Sequence, residues 1–175
     1  MSMLTDETTV FATGQVRSVQ TLAVPGVRFV PDRHQVQEAG FAYFAFLDRL
    51  ARPLLRVRFG ERGTAAVRLC GITLLSFRPP EVREAPGMAS IRFPIAAGVL
   101  VQRPMRGRGE LRFEMHADRL VMAVEGYYAA LAGAGGSDVR HWIYERTQAA
   151  IHRRVAARYL DLWLGRLIAA RSIKS

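Results

Sequence analysis

The chain has 175 residues, half of them apolar and 23% charged, with a formal net charge of +10. That length suits one domain with a sizeable core, and the apolar fraction excludes an intrinsically disordered protein. A single cysteine, Cys70, excludes an intramolecular disulfide and a thiolate metal cluster, and fits a reducing, cytoplasmic setting.

The positive charge comes from 24 Arg and one Lys, Lys174, scattered along the chain; the densest basic cluster is Arg153, Arg154 and Arg158. Scattered arginines interleaved with acids disfavour nucleic acid as a partner. The uncharged stretches are too short, or too rich in Gly and Ala, to span a bilayer, which leaves membrane contact at most peripheral.

Residues 1–9 show no apolar periodicity and are expected to form a flexible N-terminus ahead of one domain over 10–175. Residues 10–30, rich in Val, Thr and Phe with breaks at Gly14 and Pro25-Gly26, predict one strand or a pair. In "RHQVQEAGFAYFAFLDRLARP", which follows Pro31-Asp32, Val36, Phe41, Phe44 or Ala45, Leu47 and Leu50 recur at helical spacing. Asp32 is the expected N-cap and Pro53 the stop, while Gly40 leaves open one helix or two short ones.

From Leu54 to Leu131 the period falls to two. "LLRVRFGERGTAAVRL" predicts a hairpin turning at Gly60-Glu61-Arg62-Gly63, and "GITLLSF" a strand ended by Arg78-Pro79-Pro80. "GMASIRFPIAAGVLVQ" predicts one or two strands with Pro94 at a break or edge. In "GELRFEMHADRLVMAVEGYYAAL" a strand with one apolar and one polar face turns at Ala117-Asp118 into a strand apolar on both faces. After "AGAGGS", with Ser137 or Asp138 as cap, a helix is predicted to about Arg171. At about 1.5 Å per residue it would be roughly 50 Å long.

Strand, one or two helices, about six antiparallel strands and a long C-terminal helix, with six or seven strands in the whole sheet, is an order that resembles the helix-grip fold of the START and Bet v 1-like superfamily, the polyketide cyclase-like lipid-binding proteins. The resemblance covers roughly residues 10–171 and rests on element order; Gly60-Glu61-Arg62-Gly63 only faintly echoes the glycine-rich loop of the plant members. It implies an α+β fold in which a curved antiparallel sheet wraps the terminal helix and an apolar ligand lies between them. A lipocalin-like β-barrel with a C-terminal helix is the alternative.

His34, His116, His141 and His152 have no metal-binding spacing, so neither metal nor cofactor is expected. Glu114 and His116 share a polar strand face with Glu110 and Arg112, which reads as a solvated charge row rather than an oriented base. Cys70 reads as a small core residue. Glu125 interrupts an otherwise uncharged strand, with Ala123 and Tyr127 expected on its face. A carboxylate there needs a partner, either as a pocket anchor or in an ion pair with a strand arginine such as Arg68, Arg92 or Arg103.

The expected ligand-binding residues are Glu125, Tyr127, Tyr128 and Arg103 as polar groups, with Phe44, Tyr159 and Trp163 as apolar lining. In "HRRVAARYLDLWLGRL", Val155, Leu162 and Trp163 are expected on one flank and Arg154, Arg158 and Asp161 on the other. The favoured function is binding of a small or medium apolar ligand, lipid- or polyketide-like. A cyclase- or dehydratase-type enzyme using the same cavity comes second, and a basic protein on an anionic membrane or nucleic acid third. A homodimer is left open.

Overall fold

The computed structural model describes residues 2–11, 13, 15–50, 52–128 and 150–172. Nine strands are present: β1 (Met3–Val10), β2 (Gln15–Ala23), β3 (Leu55–Phe59), β4 (Ala65–Leu69), β5 (Ile72–Phe77), β6 (Glu81–Ala85), β7 (Met88–Ala97), β8 (Gly109–His116) and β9 (Arg119–Tyr128). Among the described residues two α-helices accompany them, α1 (Arg33–Leu50) and α2 (Ala150–Ser172). All strands belong to one antiparallel sheet in the order β1-β2-β9-β8-β7-β5-β4-β3, and β6 pairs with the first half of β7.

The sheet is open, with β1 and β3 as its edges, so the barrel alternative is wrong. It has two strands more than the larger count expected. One is β1: residues expected to be a flexible N-terminus instead pair with β2 in register from Met3↔Ala23 to Val10↔Val16. The stretch mixes Thr and Val with the adjacent acids Asp6 and Glu7, a composition that fits a half-solvated edge strand even though it lacks the apolar alternation of an inner one.

Both helices lie on one face of the sheet, the inner face. α1 packs on β3, β6, β7 and β8, and α2 on β2, β9 and α1. The 18 residues of α1 form one helix. Asp32 caps it, its Oδ1 accepting the Gln35 N–H at 3.0 Å. Gly40 does not break the helix because the sheet leaves no room for a side chain there: a Cβ would meet Phe93 Cε2 at 2.8 Å and Ile91 Cγ2 at 2.9 Å.

β8 alternates strictly, with Leu111, Phe113 and Met115 buried and Glu110, Arg112, Glu114 and His116 on the outer face. The turn between β4 and β5 is Cys70-Gly71, with φ of 47° and 87°. Positive φ at both central positions is what a two-residue hairpin needs to match strand twist. Cys70 is therefore an exposed turn residue and not the core residue expected from its apolar flanks. β7 runs unbroken through Pro94, whose carbonyl accepts the Arg78 N–H at 2.8 Å. The proline nitrogen faces the same side, where β5 ends and the link to β6 begins, so no ladder donor is lost.

α2 buries Ala156, Tyr159, Leu160, Trp163 and Leu167, a stripe at helical spacing. Leu162, expected on the apolar flank, is 46% exposed instead. The predicted start of this helix at residues 137–138 and its first turns lie outside the described residues. Among the described residues, no helix is long and apolar enough to cross a membrane.

Candidate functional site

On the inner face, the sheet and helices leave a pocket of about 340 Å3. α1 supplies three of its lining side chains, Tyr43, Phe44 and Leu47, whereas α2 supplies Val155. The described part of the lining thus lies mainly between the sheet and α1, with Val155 from the C-terminal helix; the lining expected from the first part of that helix lies outside the described residues. Tyr159, Leu160 and Trp163 of α2 fill the core beside the pocket. The Tyr159 ring lies 5.1 Å from Tyr43 and 5.9 Å from Phe113, its hydroxyl donates to the Ala39 carbonyl, and the Trp163 ring lies 6.4 Å from Phe113.

Sheet irregularities shape the hollow. Gly98, at φ 142°, brings the chain so close to β5 that a Cβ would sit 2.0 Å from the Leu74 carbonyl oxygen. Backbone bonds from Val99 N to Thr73 O and from Leu100 N to Leu74 O hold this crossing and turn Leu100 toward the pocket. In β9, Glu125 and Gly126 together face Arg17 of β2, because the pairing passes from Ser18↔Val124 to Val16↔Tyr127. This bulge, with Gly126 at φ 64°, reverses the alternation. Val124 and Tyr127 both point into the pocket, and Glu125 points away.

Of the seven residues singled out from the sequence, Phe44 and Tyr127 line the pocket. Tyr159 and Trp163 are core. Glu125, Tyr128 and Arg103 lie elsewhere: Glu125 on the outer face, Tyr128 with its hydroxyl 3.5 Å from Gln15 Oε1, and Arg103 exposed at the start of a short 3-10 turn. The polar quartet considered for an enzyme thus does not converge. Glu125 is held by Arg17 and Arg112, each at 3.1 Å. The ion-pair reading holds, but with partners other than Arg68, Arg92 or Arg103.

Among the described residues, four that bear hydroxyls line the pocket: Thr8, Ser18, Tyr43 and Tyr127. Tyr127 donates to the Leu100 carbonyl at 2.7 Å. Tyr43 is 4% exposed, and no hydrogen bond to its hydroxyl exists among the described residues. Burial, with a smaller contribution from Tyr159, holds its phenol above the usual 10.0, so it stays protonated. Thr8 Oγ1 lies 2.8 Å from Ser18 Oγ and 2.9 Å from Asp6 Oδ1, and Gln20 Nε2 reaches both Ser18 Oγ and Asp6 Oδ1 at 2.8 Å. Ser18 and Gln20 went unnoticed in the sequence, although two polar residues sharing a face with Val16 and Leu22 were a visible signal. No described lining residue is a carboxylate, imidazole, thiol, Lys or Arg.

The outer face is the opposite. Arg112 contacts Glu110 at 3.1 Å, Glu114 at 2.8 Å and Glu125 at 3.1 Å. Glu110 continues to Arg92 at 3.4 Å and on to Glu81 at 3.1 Å, while Arg17 links Glu125 to Glu7 at 3.7 Å. His116 adjoins Glu114 at 2.7 Å, inside this row. The result is a chain of alternating charges across β1, β2, β9, β8, β7 and β6. Among the described residues, no group of three or more side chains could hold a metal ion.

Compared with known proteins, the chain matches no family model, no curated sequence and no solved structure, so its architecture and pocket stand on their own geometry.

Proposed function

We propose that this is a helix-grip-like protein that binds a small or medium apolar ligand in the inner-face pocket. The observation that carries the reading is a hollow of about 340 Å3 lined by aliphatic and aromatic side chains and a few neutral hydroxyls. Mostly apolar concavities of roughly 300–1,000 Å3 with a few polar groups are the usual form of small-molecule sites. The pairing of β2 with β9 and the position of α2 on the inner face support the helix-grip likeness.

Binding is favoured over catalysis because the described lining holds no group suited to acid–base work near neutral pH. Binding to anionic surfaces is less favoured, since the outer-face arginines Arg17, Arg92 and Arg112 are each engaged by carboxylates.

Titration with N-phenyl-1-naphthylamine, a neutral fluorescent probe, tests the proposal. One probe should bind per chain, and Val124→Trp, which fills the pocket, should abolish binding while circular dichroism stays unchanged. Absence of binding, or binding indifferent to the filled pocket in a folded variant, overturns the reading.

A further inference from the structure

The hydroxyl protons of the pocket can be assigned, and their assignment selects a ligand. An Asp carboxylate only accepts hydrogen bonds at neutral pH. Thr8 therefore gives its single proton to Asp6 Oδ1 at 2.9 Å. With that proton committed, the 2.8 Å contact between Thr8 and Ser18 requires Ser18 to be the donor. Gln20 Nε2 has two protons and spends them on Asp6 and Ser18. The opposite amide orientation would set its oxygen against the Asp6 carboxylate.

Ser18, 2% exposed, and Thr8 are thus donors already spent, each with one lone pair left. Tyr127 has likewise given a proton to Leu100. Tyr43 is the one lining hydroxyl whose proton no described group accepts.

Resting on the apolar-ligand reading above, we infer that the ligand is a neutral, mostly apolar molecule bearing a hydroxyl, of the long-chain alcohol type, whose O–H donates to the Ser18–Thr8 pair. A fatty carboxylate finds no donor at this pair and meets Asp6 behind Thr8, within 2.9 Å of its oxygen. An ester or ketone carbonyl can use only Tyr43. A protonated amine would have to leave water for a lining whose described residues carry no charged side chain.

The test is displacement of N-phenyl-1-naphthylamine by 1-dodecanol, methyl dodecanoate, dodecanoate and dodecylammonium. Dodecanol should bind about tenfold more tightly than the methyl ester, the worth of one satisfied hydrogen bond, and about a hundredfold more tightly than dodecanoate. Thr8→Val supplies a readout that a structural role would not move. It frees the Ser18 proton and removes one acceptor of the pair, so methyl ester affinity should rise about threefold and the preference for dodecanol over the ester should shrink. The Ser18→Ala, Thr8→Val double variant should bind dodecanol and methyl ester within twofold of each other.

Equal affinities in the wild-type protein, tightest binding of dodecanoate or dodecylammonium, or no gain of the ester in Thr8→Val overturns the inference while apolar binding stands. A protein that binds neither the probe nor any of the four compounds loses the pocket reading, and this inference with it.

Discussion

The two faces of strands β2, β9 and β8 are built from the same chain segments and hold opposite chemistry. Arg17 and Glu125 belong to the outer row, and their neighbours Ser18 and Val124 belong to the pocket. Outside, each charge of the row has an opposite charge within 4 Å, and the central members Glu110, Arg112, Glu114 and Glu125 are only 16–27% exposed at their side chains. Inside, the described lining is polar only through hydroxyls, with the Gln20 amide and the Asp6 carboxylate bonded to them from behind. The comparison shows how a strongly basic chain keeps a neutral hollow: strand alternation sends charge to one face, and at the bulge, where alternation fails, a glycine restores the separation.

The largest effect should come from the pocket side. Phe44 is fully buried against Phe77 and Phe93, with ring centroids 5.2 and 5.0 Å away. Phe44→Ala should cost about 3–5 kcal/mol by urea denaturation. A loss below about 1 kcal/mol would mean that the inner face is not packed as described.

Gly126→Ala strikes the junction between the two faces. It combines a positive φ with a Cβ 2.5 Å from the Arg108 carbonyl oxygen, and should cost about 2–3 kcal/mol. Probe affinity should fall as well, because Tyr127 depends on the bulge to face inward.

On the outer face, Arg112→Gln leaves Glu110, Glu114 and Glu125 without their shared partner. The expected loss is about 1–2 kcal/mol after discounting for solvent screening, partly recovered in 1 M salt. Exposed Arg103→Gln should stay within about 0.5 kcal/mol, and probe affinity should be unchanged in both. Reduced probe affinity in Arg112→Gln would show that the faces are not independent.

The smallest effect concerns the pocket's rim, where Asp48 ties α1 to edge strand β3. Its carboxyl is held below the usual 3.8, first by the Val57 N–H at 2.9 Å and then by Arg52 at 2.7 Å. A lowered carboxylate pKa contributes stability that is full above the unfolded value and is lost as pH falls through the folded one. The urea-midpoint difference between wild type and Asp48→Asn should therefore be constant from pH 7 to 5 and shrink below about pH 4. A difference that grows on acidification would refute the assigned role.

Much of the sheet was legible because β3, β4 and β8 carry period-two alternation and β5, β7 and β9 read as apolar runs, all bounded by Gly, Pro or Asp turns, whereas β6 was not read as a strand. The Asp32 cap, the Gly60–Gly63 turn and the Ala117-Asp118 turn could be read from local chemistry alone. β1 was missed because an edge strand buries little and so carries no apolar alternation. Cys70 was misplaced because its apolar flanks resemble a strand interior, whereas its backbone conformation makes it a turn.

The site was less legible than the fold. Counting by twos placed Glu125 and Tyr127 on one face, and the bulge that separates them depends on Arg108 and Arg17, distant in sequence. Ser18 and Gln20 have no meaning as single residues; the proton relay exists only once β1 lies beside β2.

Gly40 sets the spacing of the whole pocket wall. With no side chain there, α1 comes close to Phe93 and Ile91, while one and two turns later Tyr43, Phe44 and Leu47 line the pocket. The helix rests on the sheet at a missing methyl group. Adding that methyl would insert a shim at this contact, so the capacity of the hollow is tuned at a position that never touches its contents.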